Sequence, residues 1–167
     1  MNILGAILAG GQARRFGSDK AHALYQGERL IDRVSRVLAD QCDSVVMCGR
    51  EERGFTCLAD LPEPGLGPLG GLNAALGHAA AHGFDCVLSA GVDIPNLPGD
   101  LAHNLTGEGP AIVESQPVVG LWPVSLAPVL AAFVAANGRS LYRFADHTSA
   151  RRSDGDPALL NVNRPED

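Results

Sequence analysis

Short apolar runs alternate with helical stripes along most of this chain. The runs ILGAILA (3–9), DSVVMCG (43–49) and DCVLSAGVD (85–93) are typical of strands buried on both faces of a parallel sheet. Apolar residues recur at helical spacing in RLIDRVSRVLADQ (29–41), and GPLGGLNAALGHAAAHG (67–83) opens like a helix with glycine and proline. The alternation predicts an α/β fold with three layers, built on a doubly wound, mostly parallel, Rossmann-like sheet.

The second half of the chain continues the pattern less regularly. It predicts strands at PAIVES (110–115), PVVGLWPV (117–124) and ALLNVN (158–163), and helices at 125–138 and 140–147. Because Trp122 sits within one of these apolar runs, it is interpreted as a packing residue. Glycine and proline are spread among the apolar runs and do not form a linker, so residues 1–167 are expected to form a single domain.

The charge balance limits the classes of partner. A net charge of −6 argues against broad nucleic-acid binding, which requires a basic face. The dense positive charge near glycines lies within residues 14–20, whereas Arg151 and Arg152 are diluted by Asp154 and Asp156. An anionic ligand is therefore expected to be held locally.

The amino-terminal stretch and the cysteines indicate the compartment. MNILGAILAGG has no basic region before its apolar run, and the run is too short to span a membrane. The four cysteines show neither CxxC pairing nor zinc-finger spacing. We expect a cytoplasmic protein that does not associate with membranes.

The segment LAGGQARRFGSDK (8–20) combines glycines with basic residues after the first predicted strand. Glycines allow backbone N–H groups to approach an anion, and Lys20 is the one lysine among thirteen basic residues. The spacing matches neither the GxGxxG of dehydrogenases nor the GK[ST] of P-loop enzymes. A phosphate site is the functional interpretation, and a solvated basic turn is the alternative.

Two aspartates fall where an open α/β sheet binds its ligands. Asp93 ends a predicted buried strand and Asp60 precedes GPLGG (67–71), and ligands bind beyond the carboxyl ends of such strands. Each aspartate has an alternative role as the cap of a turn, beside Pro62 or Pro95.

The segment LAGGQARRFGSDKAHALYQGERLIDRV (8–34) resembles the amino-terminal signature of the molybdenum cofactor guanylyltransferases, within the nucleotidyltransferase superfamily. The similarity continues, in the family's order, through GPLGGL (67–72), DIP (93–95), QPVVGLWP (116–123) and NVNRPED (161–167). The resemblance implies a nucleotidyltransferase fold and transfer of GMP from Mg-GTP to the phosphate of molybdopterin, with release of pyrophosphate. It implies Mg²⁺ as cofactor, and cofactor-delivery proteins or acceptor molybdoenzymes as protein partners.

The resemblance also implies residue roles. Those expected to bind the nucleotide are Leu8, Ala9, Gly10, Gly11, Lys20, Asp60 and Asp93. Lys20, Arg15 and Asp93 are the expected catalytic residues, with Asp93 as the metal ligand. The expected residues on the pterin side are Arg139, Asn161 and Asn163. Here Cys48 stands near the place where the family usually carries an asparagine that touches the nucleotide.

Two alternatives stay open. A cytidylyltransferase acting on the same pterin tends to carry LAAG, whereas this chain reads LAGG, and Gly10 leaves more room for a purine. A non-catalytic nucleotide-binding module of the same fold is the other alternative.

Overall fold

The structure, a computed structural model, describes residues 1–10, 20–154 and 159. The elements of its first half are β1 (Ile3–Leu8), a 3-10 helix (Lys20–His22), β2 (Leu24–Tyr25), β3 (Glu28–Arg29), α1 (Leu30–Ala39), β4 (Ser44–Cys48), β5 (Thr56–Leu58), α2 (Pro68–Ala81) and β6 (Cys86–Gly91). Those of its second half are α3 (Leu101–Leu105), β7 (Ala111–Val113), β8 (Gln116–Pro123), a 3-10 helix (Val124–Leu126), α4 (Ala127–Ala135), α5 (Leu141–His147) and β9 (Arg151–Ser153).

Seven of these strands form one sheet, in the order β5-β4-β1-β6-β8-β7-β9, and β2 pairs with β3 as a separate antiparallel ribbon. Strands β5, β4, β1 and β6 run parallel to one another. Strand β8 pairs antiparallel with both β6 and β7, and β9 is parallel to β7. Only β8 is therefore reversed in the described sheet, which confirms the predicted mostly parallel α/β architecture.

Helices cover both faces of the sheet, and successive side chains of β1 point alternately into the two hydrophobic cores. Ile3 and Ile7 pack with α1 and α3, and Leu4 and Ala6 pack with α2, α4 and α5. All four side chains are at most 7% exposed. This two-sided burial is the reason why β1 reads as a continuous apolar run, and it gives the three predicted layers.

The start of β1 is fixed by two aspartates that precede its partner strands. Asp43 Oδ2 accepts a hydrogen bond from the backbone N–H of Ile3 at 2.7 Å, and Asp85 Oδ2 accepts one from that of Asn2 at 2.6 Å. Each aspartate comes just before a strand that flanks β1, namely β4 or β6. The pair therefore holds the register of the central strands, and with it the level at which those strands end.

Trp122 is a core residue, as predicted. It is fully buried, its Nε1–H donates to Ser89 Oγ at 3.0 Å, and Ser89 Oγ donates to the carbonyl of Val118 at 2.7 Å. Its ring lies 5.6 Å from that of Phe144, centroid to centroid. The hydrogen bonds satisfy the polar atoms that this burial removes from water.

Several elements were not predicted. Strands β5 and β9, with three residues each, and the five-residue helix α3 are too short to show a periodicity. The predicted helix 125–138 is a 3-10 turn followed by α4, and the predicted strand 158–163 lies outside the described residues apart from Leu159. No described helix combines the length and the apolar composition that a membrane span requires.

Candidate active site

The parallel strands bring the predicted site residues to one edge of the sheet. Strand β1 ends at Leu8 and leads into Ala9 and Gly10, while β5 leads into Asp60 and β6 into Asp93. Because β1, β4, β5 and β6 are parallel neighbours, their carboxyl ends lie at the same edge. The structure thus places both aspartates on the ligand-binding side of the sheet.

The Asp60 side chain is enclosed by four glycines, which we call the glycine cradle: Gly10, Gly49, Gly70 and Gly71. A Cβ added to each would lie within 3.7 Å of an Asp60 carboxylate oxygen, at 3.7 Å for Gly10, 3.0 Å for Gly49, 3.2 Å for Gly70 and 3.5 Å for Gly71. Three segments of the chain therefore approach this carboxylate with backbone alone. Side chains at these positions would displace it or fill the space around it.

The backbone of residues 8–10 forms one side of the cradle. The N–H of Ala9 donates to the carbonyl of Cys48 at 2.9 Å, which extends the pairing of β1 with β4 beyond the last strand residues. Gly49 has a φ of +88°, and a Cβ there would lie 2.8 Å from the Cα of Gly10. The two backbones are thus in direct contact beside Asp60, which requires glycine at position 49.

Burial raises the pKa of the half-buried Asp60 carboxyl above its ordinary value of 3.8. Within residues 1–10 and 20–154, no group donates a hydrogen bond to this carboxylate. Its oxygens are therefore acceptors that a ligand N–H or O–H group can satisfy. A desolvated acceptor of this kind discriminates strongly between ligands that donate to it and ligands that do not.

Cys48 lies beneath the cradle and is fully buried. Burial, and next the neighbouring Asp60 carboxylate, raise the pKa of its thiol to about 12. The thiol is therefore protonated at neutral pH and is not a nucleophile. Its Cβ lies 3.2 Å from the place where a Cβ of Gly71 would stand, so it packs against the first turns of α2.

The loop that follows β6 presents Asp93. A Cβ added to Gly91 would lie 2.9 Å from Asp93 Oδ1, so this carboxylate folds back over the end of the strand. Arg33 on α1 donates from Nε to the carbonyl of Pro95. Gln41, two residues after the end of α1, donates to the carbonyl of Pro98 at 2.9 Å, so α1 and the turn that follows it hold the loop at two points.

Asp93 has the chemistry expected of a magnesium ligand. Its carboxylate is a hard oxygen donor, is partly exposed, and stands at the ligand-binding edge. The described residues contain no cluster of three or more potential protein ligands for a metal. A single carboxylate is compatible with Mg²⁺, because that ion usually keeps several waters and takes further oxygens from substrate phosphates.

Other predicted residues are described in part or not at all. Gly11, Arg15, Asn161 and Asn163 lie outside the described residues. Of Lys20, the structure describes the backbone, which begins the 3-10 helix Lys20–His22. The roles predicted for these residues therefore stay predictions.

Arg139, predicted on the pterin side, is engaged at the end of α4. Its Nη1 donates to the carbonyls of Val134, at 3.1 Å, and Gly138, at 2.7 Å. These contacts satisfy carbonyl groups at a helix carboxyl terminus, where a cation is also favoured by the helix dipole. Its role toward a second substrate stays a prediction.

Sequence reasoning missed several residues of the site. Gly49, Gly70 and Gly71 complete the cradle, and Arg33 holds the Asp93 loop. Outside the site, sequence reasoning also missed Glu52, whose side chain is only 8% exposed and is paired with two arginines and a histidine. The adjacent glycines in GPLGG were the available signal for the cradle. Glycine is unfavourable inside a helix, so two of them there indicate that another group approaches the backbone closely.

An open α/β sheet with glycines and carboxylates at the carboxyl ends of its parallel strands is typical of proteins that bind nucleotides. Residues 5–152 match the MobA-like NTP transferase domain. The chain belongs to this family, and the predicted family and fold are confirmed.

Relatives agree with this family assignment, and solved structures share the fold. The chain is 39% identical to a molybdenum cofactor guanylyltransferase of Cereibacter sphaeroides, covering 100% of this chain and 94% of the relative. It is 38% identical to one of Rhodobacter capsulatus, covering 100% and 93%. Molybdopterin-guanine dinucleotide biosynthesis protein A from Archaeoglobus fulgidus shares the fold, with a TM-score of 0.75, 20% identity, and coverage of 99% of this chain and 94% of that one. The 2-C-methyl-D-erythritol 4-phosphate cytidylyltransferase from Thermus thermophilus shares it with a TM-score of 0.75, 14% identity, and coverage of 99% and 95%.

Proposed function

We propose that this protein transfers GMP from Mg-GTP to the terminal phosphate of molybdopterin and releases pyrophosphate. The observation that carries the proposal is the 39% identity, along the whole chain, with a relative named for this activity. The glycine cradle and Asp93, at one edge of the sheet, support it as a nucleotide site and a metal site. We further propose that residues 1–167 form one cytoplasmic domain, with GTP and molybdopterin as its substrates.

The nucleotide side is proposed to consist of the backbone of residues 8–11 and the Asp60 carboxylate. Guanine carries adjacent N–H donors at N1 and N2, and the half-buried Asp60 oxygens are acceptors without a donor in the described chain. Cytosine and adenine each present an amino group beside a ring-nitrogen acceptor, which matches a pair of carboxylate acceptors less well. This chemistry supports GTP over the other nucleotides.

The reaction needs positioning and charge neutralisation more than covalent chemistry by the protein. An oxygen of the molybdopterin phosphate attacks the α-phosphorus in line. The bond from the α-phosphorus to the bridging oxygen breaks, and pyrophosphate leaves with the electron pair. Two anions must approach each other, so positive charge around the triphosphate is required.

The proposed catalytic residues supply that charge and geometry. Lys20 and Arg15 would face the triphosphate from the glycine-rich segment, and Asp93 would hold Mg²⁺. When bound, the ion supplies positive charge at the phosphate oxygens. Asp93 is aimed by the end of β6 and by the loop that Arg33 holds. Arg139, Asn161 and Asn163 are proposed on the pterin side.

Pyrophosphate release tests the proposal directly. Purified protein receives Mg²⁺, molybdopterin and, separately, GTP, CTP or ATP. We expect release with GTP, lost in Asp93→Asn, because that variant keeps the size of the side chain and removes its charge. Release with CTP instead would identify the cytidylyltransferase activity. Tight nucleotide binding without release would identify a binding module.

A further inference from the structure

Glu52 is a buried carboxylate outside the site described above. Its Oε1 lies 2.7 Å from His22 Nε2 and 3.9 Å from Arg29 Nη1, and its Oε2 lies 3.1 Å from Arg50 Nη2. We call these four residues the Glu52 cluster. An 8% exposed carboxylate is costly unless charged and hydrogen-bonding partners surround it, and this one has them on both oxygens.

The Glu52 cluster joins segments that lead to the site. His22 is the last residue of the 3-10 helix that begins at Lys20. Arg50 directly follows Gly49 of the glycine cradle, and Arg29 precedes α1 and pairs with Asp32 at 2.8 Å. The Glu52 carboxylate therefore ties residues 20–22, which we call the Lys20 segment, to the residues that follow β4.

Glu52 itself is anchored from β5. Its backbone N–H donates to Cys57 Sγ at 3.2 Å, and the same thiol donates to the carbonyl of Glu52 at 3.5 Å. Cys57 pairs with Met47 across β4 and β5. Cys57 of β5 thus holds the backbone of Glu52, and the Glu52 carboxylate contacts His22 of the 3-10 helix Lys20–His22.

The Lys20 segment depends on such contacts for its position. A 3-10 helix of three residues has little intrinsic stability, so tertiary contacts decide where it stands. Its contacts include the packing of the fully buried Ala21 in the core and the contact of His22 with Glu52. The partner of His22 lies thirty residues further along the chain and three residues after Gly49 of the cradle.

We infer that Glu52 is a positioning residue for nucleotidyl transfer: through His22 it fixes the segment that carries Lys20, and thereby sets the affinity for the triphosphate. This inference rests on the proposed function, in which Lys20 faces the triphosphate. Glu52 touches no substrate in this scheme. Glu52 affects the affinity for the triphosphate only through the position of Lys20.

The test compares a nucleoside triphosphate with its monophosphate in the full chain. Calorimetric titration gives the Kd of Mg-GTP and of GMP for the wild type and for Glu52→Gln. We expect the Kd of GTP to rise roughly tenfold, about 1.4 kcal/mol, and that of GMP to stay close to the wild-type value. A monophosphate has no β- or γ-phosphate for Lys20 to meet. Equal weakening of both ligands, or no change in either, would overturn the inference.

A double-substitution cycle with Lys20 gives the second arm. In Lys20→Ala, adding Glu52→Gln should cause no further loss of GTP affinity, because the group it positions is absent. A further loss as large as that in the wild-type background would contradict the inference. Asp146→Asn is the matched control, since it removes a carboxylate that pairs with Arg152 at 2.7 Å at the far end of the sheet.

Two provisions keep the test decisive. Should Glu52→Gln fail to fold, His22→Asn removes the other end of the contact while Glu52 keeps both arginines, and the same selective loss is expected. Where the wild type turns over CTP, the ligand pair becomes CTP and CMP. A wrong assignment of the base is then distinguished from a wrong role for Glu52.

Discussion

Gly70 faces the Asp60 side chain so closely that an added Cβ would lie 3.1 Å from the Asp60 Cβ and 3.2 Å from Oδ2. The first turns of α2 therefore rest on the carboxylate of Asp60 with backbone alone. The same helix contains Gly77, where an added Cβ meets nothing within 4 Å. Helix α2 thus carries two glycines of the cradle, Gly70 and Gly71, and a third, Gly77, that the site does not require.

Gly70→Ala should weaken nucleotide binding while the protein stays folded. The new methyl group must push the carboxylate aside, because the distance of 3.1 Å is shorter than ordinary contact between Cβ atoms. We expect the Kd of GTP to rise by on the order of tenfold or more, measured by calorimetry. Gly77→Ala is the matched control. It should leave binding unchanged and raise the free energy of unfolding by about 0.5–1 kcal/mol through helix propensity.

Asp60→Asn should abolish selective GTP binding and raise the melting temperature at neutral pH. Burial raises the pKa of this carboxyl, so the folded state binds its proton more tightly than the unfolded state does. Stability therefore falls as the pH rises from the ordinary value of 3.8 through the raised value, and the cost persists at higher pH. Asparagine removes that cost. Thermal unfolding at several pH values should show a difference in melting temperature that shrinks below pH 3.8; a difference constant with pH would contradict the assignment.

Arg33→Ala should raise the Mg²⁺ concentration required for half-maximal rate. Arg33 Nε holds the carbonyl of Pro95, two residues after Asp93, and a misplaced metal ligand costs about tenfold or more in rate. Initial rates measured against Mg²⁺ concentration test this. Arg36→Ala is the control, because Arg36 lies on the same helix and pairs with Glu28 at 2.9 Å without contacting the loop. Equal effects of the two substitutions would show that the loop contact is unimportant.

Ser89→Ala should destabilise the core and leave the chemistry intact. The indole N–H of the fully buried Trp122 would lose its acceptor, at a cost of about 1–3 kcal/mol. Because Trp122 is the one tryptophan of the chain, its fluorescence during urea unfolding reports the change directly. Ser125→Ala, at an exposed position, should leave the unfolding free energy unchanged. An equally stable Ser89→Ala protein would mean that the indole finds another partner.

Much of the fold followed from the sequence because its central elements are long and periodic. The runs that became β1 and β6 are buried on both faces, and the stripe of α1 is regular. Strand β5 pairs with β4 through three residues at the edge of the sheet, and β9 pairs likewise with β7. Such short strands are defined by a distant partner, and local pattern carries no information about that partner.

The site was predictable in outline for a related reason. Asp60 and Asp93 could be placed at one edge because parallel strands end together. Glu52 could not, since GREERG (49–54) reads as a solvated charged turn. Its burial depends on His22 and Arg29, which lie thirty and twenty-three positions earlier in the chain. Only the three-dimensional arrangement shows that this charge is enclosed.

The central place of β1 has a consequence for how the protein is made. Strand β1 pairs with residues 44–48 and 86–91, and its two aspartate anchors lie 40 and 83 positions further along the chain. During synthesis one edge of β1 therefore stays unpaired until residues 44–48 have emerged, and the other edge until residues 86–91 have emerged. Until then its apolar side chains and strand edges are open to aggregation, and the residues at the carboxyl ends of β1 and β6 stay apart until β6 has emerged.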